Sequence, residues 1–123
     1  MGLKDNITFR GSLLNVPKVL CYTDVFMIPS EIESFGLAAL EAMSCKIPVI
    51  ASTAGGLPEV VKDGETGFIV EGQNPSQIAE AIEKLLFNKS LREQLGKNGR
   101  KRVMEDYNFS DNVNQMVEIY NRF

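Results

Sequence analysis

Two short runs of this chain, Val25 to Ile28 (VFMI) and Pro48 to Ala51 (PVIA), are apolar at every position. A strand with one wet face alternates between apolar and polar residues, so a strand without polar positions has to be covered on both sides. The stretch between the two runs, Gly36 to Ser44, is helical in pattern. Strands that alternate with helices in this way form a parallel sheet sandwiched between helical layers. Around them, Ile7 to Phe9 predicts a further short strand and Val16 to Tyr22 a short helix. Pro58 to Lys62 predicts a helical turn, and Phe68 to Val70 a last strand after the turn Asp63-Gly64-Glu65-Thr66-Gly67. The expected fold class is α/β, a parallel sheet covered by helices on both faces. Ligands of such sheets bind at the carboxyl ends of the strands, in the loops that lead into the helices.

After Val70 only helices follow. Asn74 before Pro75 is an N-cap with proline at the first helical position, and Ile78, Ile82, Leu85 and Leu86 make one apolar stripe. Ser90 with Glu93 three residues later is a capping box, followed by Leu91, Leu95 and Val103 at helical spacing. Ser110 starts a final helix with Val113, Met116, Val117 and Tyr120. No internal repeat or linker divides the 123 residues, and one domain is expected over 1–123.

Composition removes several classes of function. Hydrophobic residues make up 44% of the chain and charged ones 24%, a soluble balance, and no apolar run reaches the roughly 18 to 20 residues of a membrane span. The polar start MGLKDNITFRG is unlike a signal peptide, so a cytoplasmic location is expected. Cys21 and Cys45 lack CxxC spacing and lie in apolar stretches, which predicts buried, reduced thiols. The net charge is −3, and the only cluster of cations is Lys97, Arg100, Lys101 and Arg102, read as a solvated helix face. No nucleic-acid footprint is expected. The chain has no histidine, so any chemistry falls to carboxylates, backbone groups or the substrate itself.

One segment combines such groups. Leu37 to Met43 (LAALEAM) is apolar except for Glu41, which predicts a buried helix with a carboxylate in its middle. A buried carboxylate needs a donor, and a cation, a backbone group or a ligand hydroxyl would each serve. Upstream, Ser34-Phe35-Gly36-Leu37 puts a glycine where a loop becomes a helix. The free N–H groups and positive dipole end there suit an anion, although a simple turn explains the glycine equally well. On one continuous helix Glu33 and Glu41 would lie roughly 80° apart, at about 100° per residue. They share a site more easily if Glu33 stays in the loop. Backbone amides for a diphosphate, with carboxylates for the hydroxyls of a ribose and a sugar, fit a sugar nucleotide. No nucleophile with an adjacent base is evident.

Pro29-Ser30, Glu33-Ser34-Phe35-Gly36-Leu37, Leu40-Glu41-Ala42-Met43, PVIA, Gly55-Gly56-Leu57-Pro58-Glu59-Val60 and Asp63-Gly64-Glu65-Thr66-Gly67 together resemble the C-terminal domain of the large retaining glycosyltransferase family known as glycosyl transferases group 1, or family 4. That family has the GT-B fold of two Rossmann-like domains, and its signature is two glutamates separated by seven residues, here Glu33 and Glu41. The resemblance implies that Glu33 is the catalytic-site carboxylate on the donor sugar. It further implies that the backbone around Ser34, Phe35, Gly36 and Leu37 meets the diphosphate, and that Glu41 holds the ribose hydroxyls. For Gly55 and Gly56 a tight turn under the site and a ligand contact both remain open. The implied donor is a nucleotide sugar, with UDP-sugars favoured, and no metal or other cofactor is implied. Relative to the family, a first strand and helix with a cationic loop, and the N-terminal acceptor domain, are missing. The missing partner would be that domain or a separate subunit. Lys46 stands where the family often has glycine. A nucleotide-sugar-binding module, or a subunit of a split transferase without activity of its own, is the alternative reading; a sugar-nucleotide epimerase is disfavoured because its chemistry calls for other acid–base residues.

Overall fold

The computed structural model of the chain describes residues 2–11 and 16–107. A single 3-10 turn, Lys4–Asn6, precedes helix α1 (Val16–Leu20), strand β1 (Phe26–Ile28), helix α2 (Leu37–Ser44), strand β2 (Val49–Ser52), helix α3 (Leu57–Val60) and strand β3 (Gly67–Val70). Two longer helices follow, α4 (Pro75–Leu86) and α5 (Lys89–Arg102), and α5 runs into one π-helical turn, Val103–Tyr107. The strands form one parallel sheet in the order β1-β2-β3.

Strand β2, apolar from Val49 to Ala51 and ended by Ser52, is the centre of that sheet, and all four of its residues are buried. Val49 and Ala51 face a core shared with Met43 of α2 and with Leu57 and Val60 of α3. Ile50 points the other way, to Ala81 and Leu85 of α4 and Leu95 of α5. Alternate residues of one strand thus feed two cores, which is why the sequence has no room for a polar position there. Helix α5 and the π-helical turn it runs into close both layers, with Leu95 of the helix in one core and Val103 of the turn in the other. It also seats on the end of α2. Lys46 ends that helix in the left-handed conformation at φ 63°, Ile47 N–H bonds back to Ala42 O, and a Cβ on Gly96 would stand 2.1 Å from Lys46 O.

Ile28 is level with Ala51, and Ser52 with Val70, so all three strands end on one line. The loops leaving them, 29–36, 53–56 and 71–74, emerge side by side. A Cβ on Gly72 would lie 3.1 Å from Pro29 O, so the third loop touches the first.

Some expectations need correction. Ile7 to Phe9 is not a strand: Ile7 is extended, at φ −120° and ψ 129°, but no neighbouring strand takes its hydrogen bonds, and Ile7 and Phe9 are 52% and 93% exposed. In the α4 stripe Leu86 is exposed, and Ala81 takes the inward position. Helix α5 starts earlier than Ser90, because Asn88 is its cap and accepts from Leu91 N–H at 3.0 Å. Glu93 pairs with Lys89 at 3.9 Å on the surface. Asn74 does cap α4, with its side chain accepting from Gln77 N–H. Cys21 is exposed and Cys45 half-buried; both are free thiols, and Cys21 lies past the end of α1, outside the core. The helix expected from Ser110, with Val113, Met116, Val117 and Tyr120, lies outside the described residues.

Candidate functional site

The loop from Pro29 to Gly36 lies at the carboxyl edge of the sheet and is fastened from below. Ser52, buried at the end of β2, donates its hydroxyl to Ser30 O at 2.5 Å. Gln73 from the loop after β3 donates its side-chain amide to Glu31. Gly56 N–H donates to Ser34 O at 3.2 Å. Where the loop enters α2, Gly36 has φ 70°, and a Cβ there would be 2.9 Å from Leu57 Cδ2 and 3.6 Å from Val60 Cγ2. The left-handed backbone disfavours a side chain there, and a Cβ would fit only if Leu57 shifted.

Gly55 is held still more closely. Its φ is 50°, and an added Cβ would fall 1.5 Å from the carbonyl oxygen of Glu33. At Gly56 the equivalent atom would be 2.9 Å from Ser34 O. The glycine pair therefore has a packing role directly beneath Glu33 and Ser34: backbone lies on backbone, with no space for a methyl group between.

Helix α2 begins at Leu37 with Gly36 as its N-cap and no capping side chain. Its first internal bond is Leu40 N–H to Gly36 O at 3.1 Å. The amides of the preceding residues are thus free of intrahelical bonds and carry the positive end of the helix dipole. The helix is not buried all round as expected. Ala39, Leu40, Ala42 and Met43 are buried, whereas Leu37 and Ala38 are exposed and Glu41 and Ser44 half-buried. Positions 37, 38, 41 and 44 make one helical stripe that faces outward. Apolar letters hid this face because alanine costs little in water. Glu41 consequently keeps access to solvent and needs no internal counter-charge. Glu33 is half-buried in the loop, Ser34 is exposed, and the Phe35 ring is 76% exposed. Among the described residues neither the Glu33 nor the Glu41 carboxylate has a hydrogen-bond or ion-pair partner. The arrangement offers two free acceptors, one on the loop and one on the open helix face, with unpaired amides between them.

Other features lie apart from this site. A concavity of about 460 Å³ between β3 and α4 is lined by Asp63, Phe68, Gln77 and Lys84, the last stacked over Phe68 at 5.5 Å, and it includes no residue of the Glu33 to Glu41 segment. No group of three or more His, Cys, Asp or Glu is placed to hold a metal ion among the described residues.

The cationic cluster of α5 is not simply a solvated face. Arg100 donates to Ser44 O at 2.5 Å, and Arg102 forks onto Val60 O at 3.0 Å and Glu59 O at 2.6 Å. Tyr107 donates to the same Glu59 carbonyl at 3.0 Å. Sequence reasoning missed these roles because the accepting carbonyls lie more than forty residues away and a backbone acceptor leaves no letter. Ser52 was missed as well, although a serine directly after the wholly apolar run Pro48 to Ala51 is a signal that the strand's last residue meets a polar loop.

A family profile described as "Glycosyl transferases group 1" matches residues 1–102. The chain is 36% identical to the N-acetyl-alpha-D-glucosaminyl L-malate synthase of Bacillus anthracis, over 98% of this chain and 32% of that protein. Sucrose-phosphate synthase from Thermosynechococcus elongatus superposes with a TM-score of 0.83 at 40% identity, covering 98% of this chain and 31% of that one. A TarM variant from S. aureus, solved with fondaparinux, alpha-GlcNAc-glycerol and UDP, superposes with a TM-score of 0.84 at 26% identity, covering 97% of this chain and 24% of that one. The chain spans about a third or less of the length of these relatives.

Proposed function

Because the chain belongs to the glycosyl transferases group 1 family, we propose that it is the donor-binding part of a retaining glycosyltransferase, and that the segment from Glu33 to Glu41 seats a nucleotide-diphospho-sugar, a UDP-sugar above others. The observation that carries the reading is the fastened loop: Gly55 and Gly56 press the backbone of Glu33 and Ser34 against the uncapped start of α2, with Glu41 on the outward face of that helix. Amides of the first turn of α2 take the diphosphate, which no side chain in that turn opposes with negative charge. Glu41 accepts the ribose hydroxyls, and Glu33, one loop away, accepts hydroxyls of the hexose or N-acetylhexosamine. Carboxylates suit these partners because they accept from hydroxyls and repel phosphate. UDP as the nucleotude part is supported by its presence in the TarM structure.

Transfer with retention follows if the acceptor oxygen bonds to the anomeric carbon on the face from which the diphosphate leaves. The bond from that carbon to the phosphate oxygen breaks, and the acceptor proton passes to the departing phosphate. No histidine, metal or other cofactor is required for this route. The acceptor is held by a domain or subunit outside these 123 residues, in keeping with the share of its relatives that the chain spans.

The test is a calorimetric titration of the chain with UDP, UDP-glucose, UDP-N-acetylglucosamine, GDP-mannose and ADP-glucose. Weak binding of UDP and UDP-sugars, with no transfer by the chain alone, is expected. Absence of heat from every ligand at millimolar concentration would remove the donor-site reading.

A further inference from the structure

We propose that Arg102, with Tyr107, is a positioning residue of the donor site: it clamps the far end of α3 and through that helix fixes the height of the Glu33 to Gly36 loop. Resting on the donor-site reading, the inference adds to it a residue from the last described helix that touches no ligand.

Helix α3 is a single turn of four residues, Leu57–Val60, too short to be stable by itself. It carries the site: at its amino end Gly56 N–H bonds Ser34 O, and Leu57 at the start and Val60 at the end are the side chains on which Gly36 rests. At the carboxyl end the carbonyls of Glu59 and Val60 are left over by so short a helix. Both are taken by one guanidinium, Nη2 to Glu59 O at 2.6 Å and Nε to Val60 O at 3.0 Å, and Tyr107 adds a second donor to Glu59 O. The Arg102 side chain is only 21% exposed. Its remaining face is fixed as well: Asp106 Oδ2 accepts from Nη1 at 3.0 Å, and the Tyr107 ring lies 5.7 Å from Cζ. A planar fork with two carbonyls, a carboxylate and a ring around it has one orientation, which lysine cannot reproduce. If the fork is lost, Val60 O loses its donor and α3 is held at that end only by the Tyr107 hydroxyl on Glu59 O and by its apolar packing, and the loop it supports loses its fixed height.

The test uses the full chain with UDP as the probe, and reads two quantities well below the melting temperature. One is UDP affinity; the other is hydrogen-exchange protection of the Gly56 amide, whose partner is Ser34 O. Arg102→Gln is expected to weaken UDP roughly three- to tenfold and to lower Gly56 protection by a similar factor, in the range of couplings carried through packed neighbours. Tyr107→Phe, which removes a single donor, should move both in the same direction by less. Leu85→Ala, in the other core, serves as a control that lowers the melting temperature without touching α3. It is expected to leave both quantities unchanged. The proposal is overturned if Arg102→Gln melts lower yet keeps wild-type Gly56 protection, or if Leu85→Ala reproduces its losses. Should the wild-type chain fail to bind UDP, the donor reading falls, while Gly56 protection still decides whether Arg102 holds the loop.

Discussion

Replacing Gly55 with alanine perturbs the site without altering any charge or any proposed ligand group. The new methyl carbon would start 1.5 Å from the Glu33 carbonyl oxygen, less than half an ordinary contact distance. The loop must then rise by about 1.5–2 Å to restore contact at roughly 3.0–3.5 Å, the ordinary spacing of packed atoms. Two costs add. The left-handed backbone at φ 50° disfavours alanine by about 1–2 kcal/mol. Forcing an extra carbon into a filled contact costs about 1–3 kcal/mol, for a total of about 2–5 kcal/mol. At roughly 4 °C per kcal/mol for a chain of this size, the melting temperature should fall by about 8–20 °C. The displaced oxygen belongs to Glu33 itself, so UDP-sugar affinity should also fall, by about tenfold or more, the equivalent of one lost charge-assisted hydrogen bond. Differential scanning calorimetry and isothermal titration read the two effects separately. A Gly55→Ala chain that melts and binds like the wild type would show that the loop is not pressed on this turn, and would refute the reasoning.

Other expectations follow from single contacts. Lys46→Gly should raise stability by about 0.5–1 kcal/mol in chemical denaturation, since Lys46 holds a left-handed backbone at φ 63° that glycine adopts freely; a lower midpoint would contradict this. Asn88→Ala removes the side-chain cap of α5 and should cost about 1 kcal/mol, with UDP affinity unchanged. Glu33→Ala should weaken a UDP-sugar more than UDP, because Glu33 is assigned to the sugar; equal losses for the two ligands, measured by titration, would remove that role.

Much of the sheet was legible because its central strand feeds two cores. Val49 to Ala51 has no polar letter and is covered on both faces, whereas the equally apolar Val25 to Ile28 gives a strand, β1, that is only partly covered and leaves Met27 exposed, against the expectation. Helix α4 was legible from its cap, Asn74, and from Ile78, Ile82 and Leu85. The open side of α2 was not, since Ala38 and Leu37 look alike in a pattern whether they face protein or water. Ile7 to Phe9 has strand letters but no neighbour to pair with, and a strand is a property of two segments. In the site, Glu33, Gly36 and Glu41 could be singled out from local chemistry, whereas their supports could not. The seating of Gly55 under Glu33 O, Ser52 on Ser30 O and Arg102 on Glu59 O all end on backbone carbonyls, which every residue has. Long-range contacts to such groups depend on the fold and leave no sequence pattern.

The central claim is that Glu41, on the outward face of α2, receives the ribose of the donor. It is tested most directly by comparing UDP with 2′-deoxy-UDP on the wild-type chain and on Glu41→Ala. The wild type should prefer UDP by roughly ten- to a hundredfold, the worth of one hydroxyl bonded to a carboxylate at about 1.5–3 kcal/mol. The variant should bind UDP more weakly and no longer distinguish the two. A wild-type chain indifferent to the 2′-hydroxyl, or a variant that keeps the preference, would contradict the account.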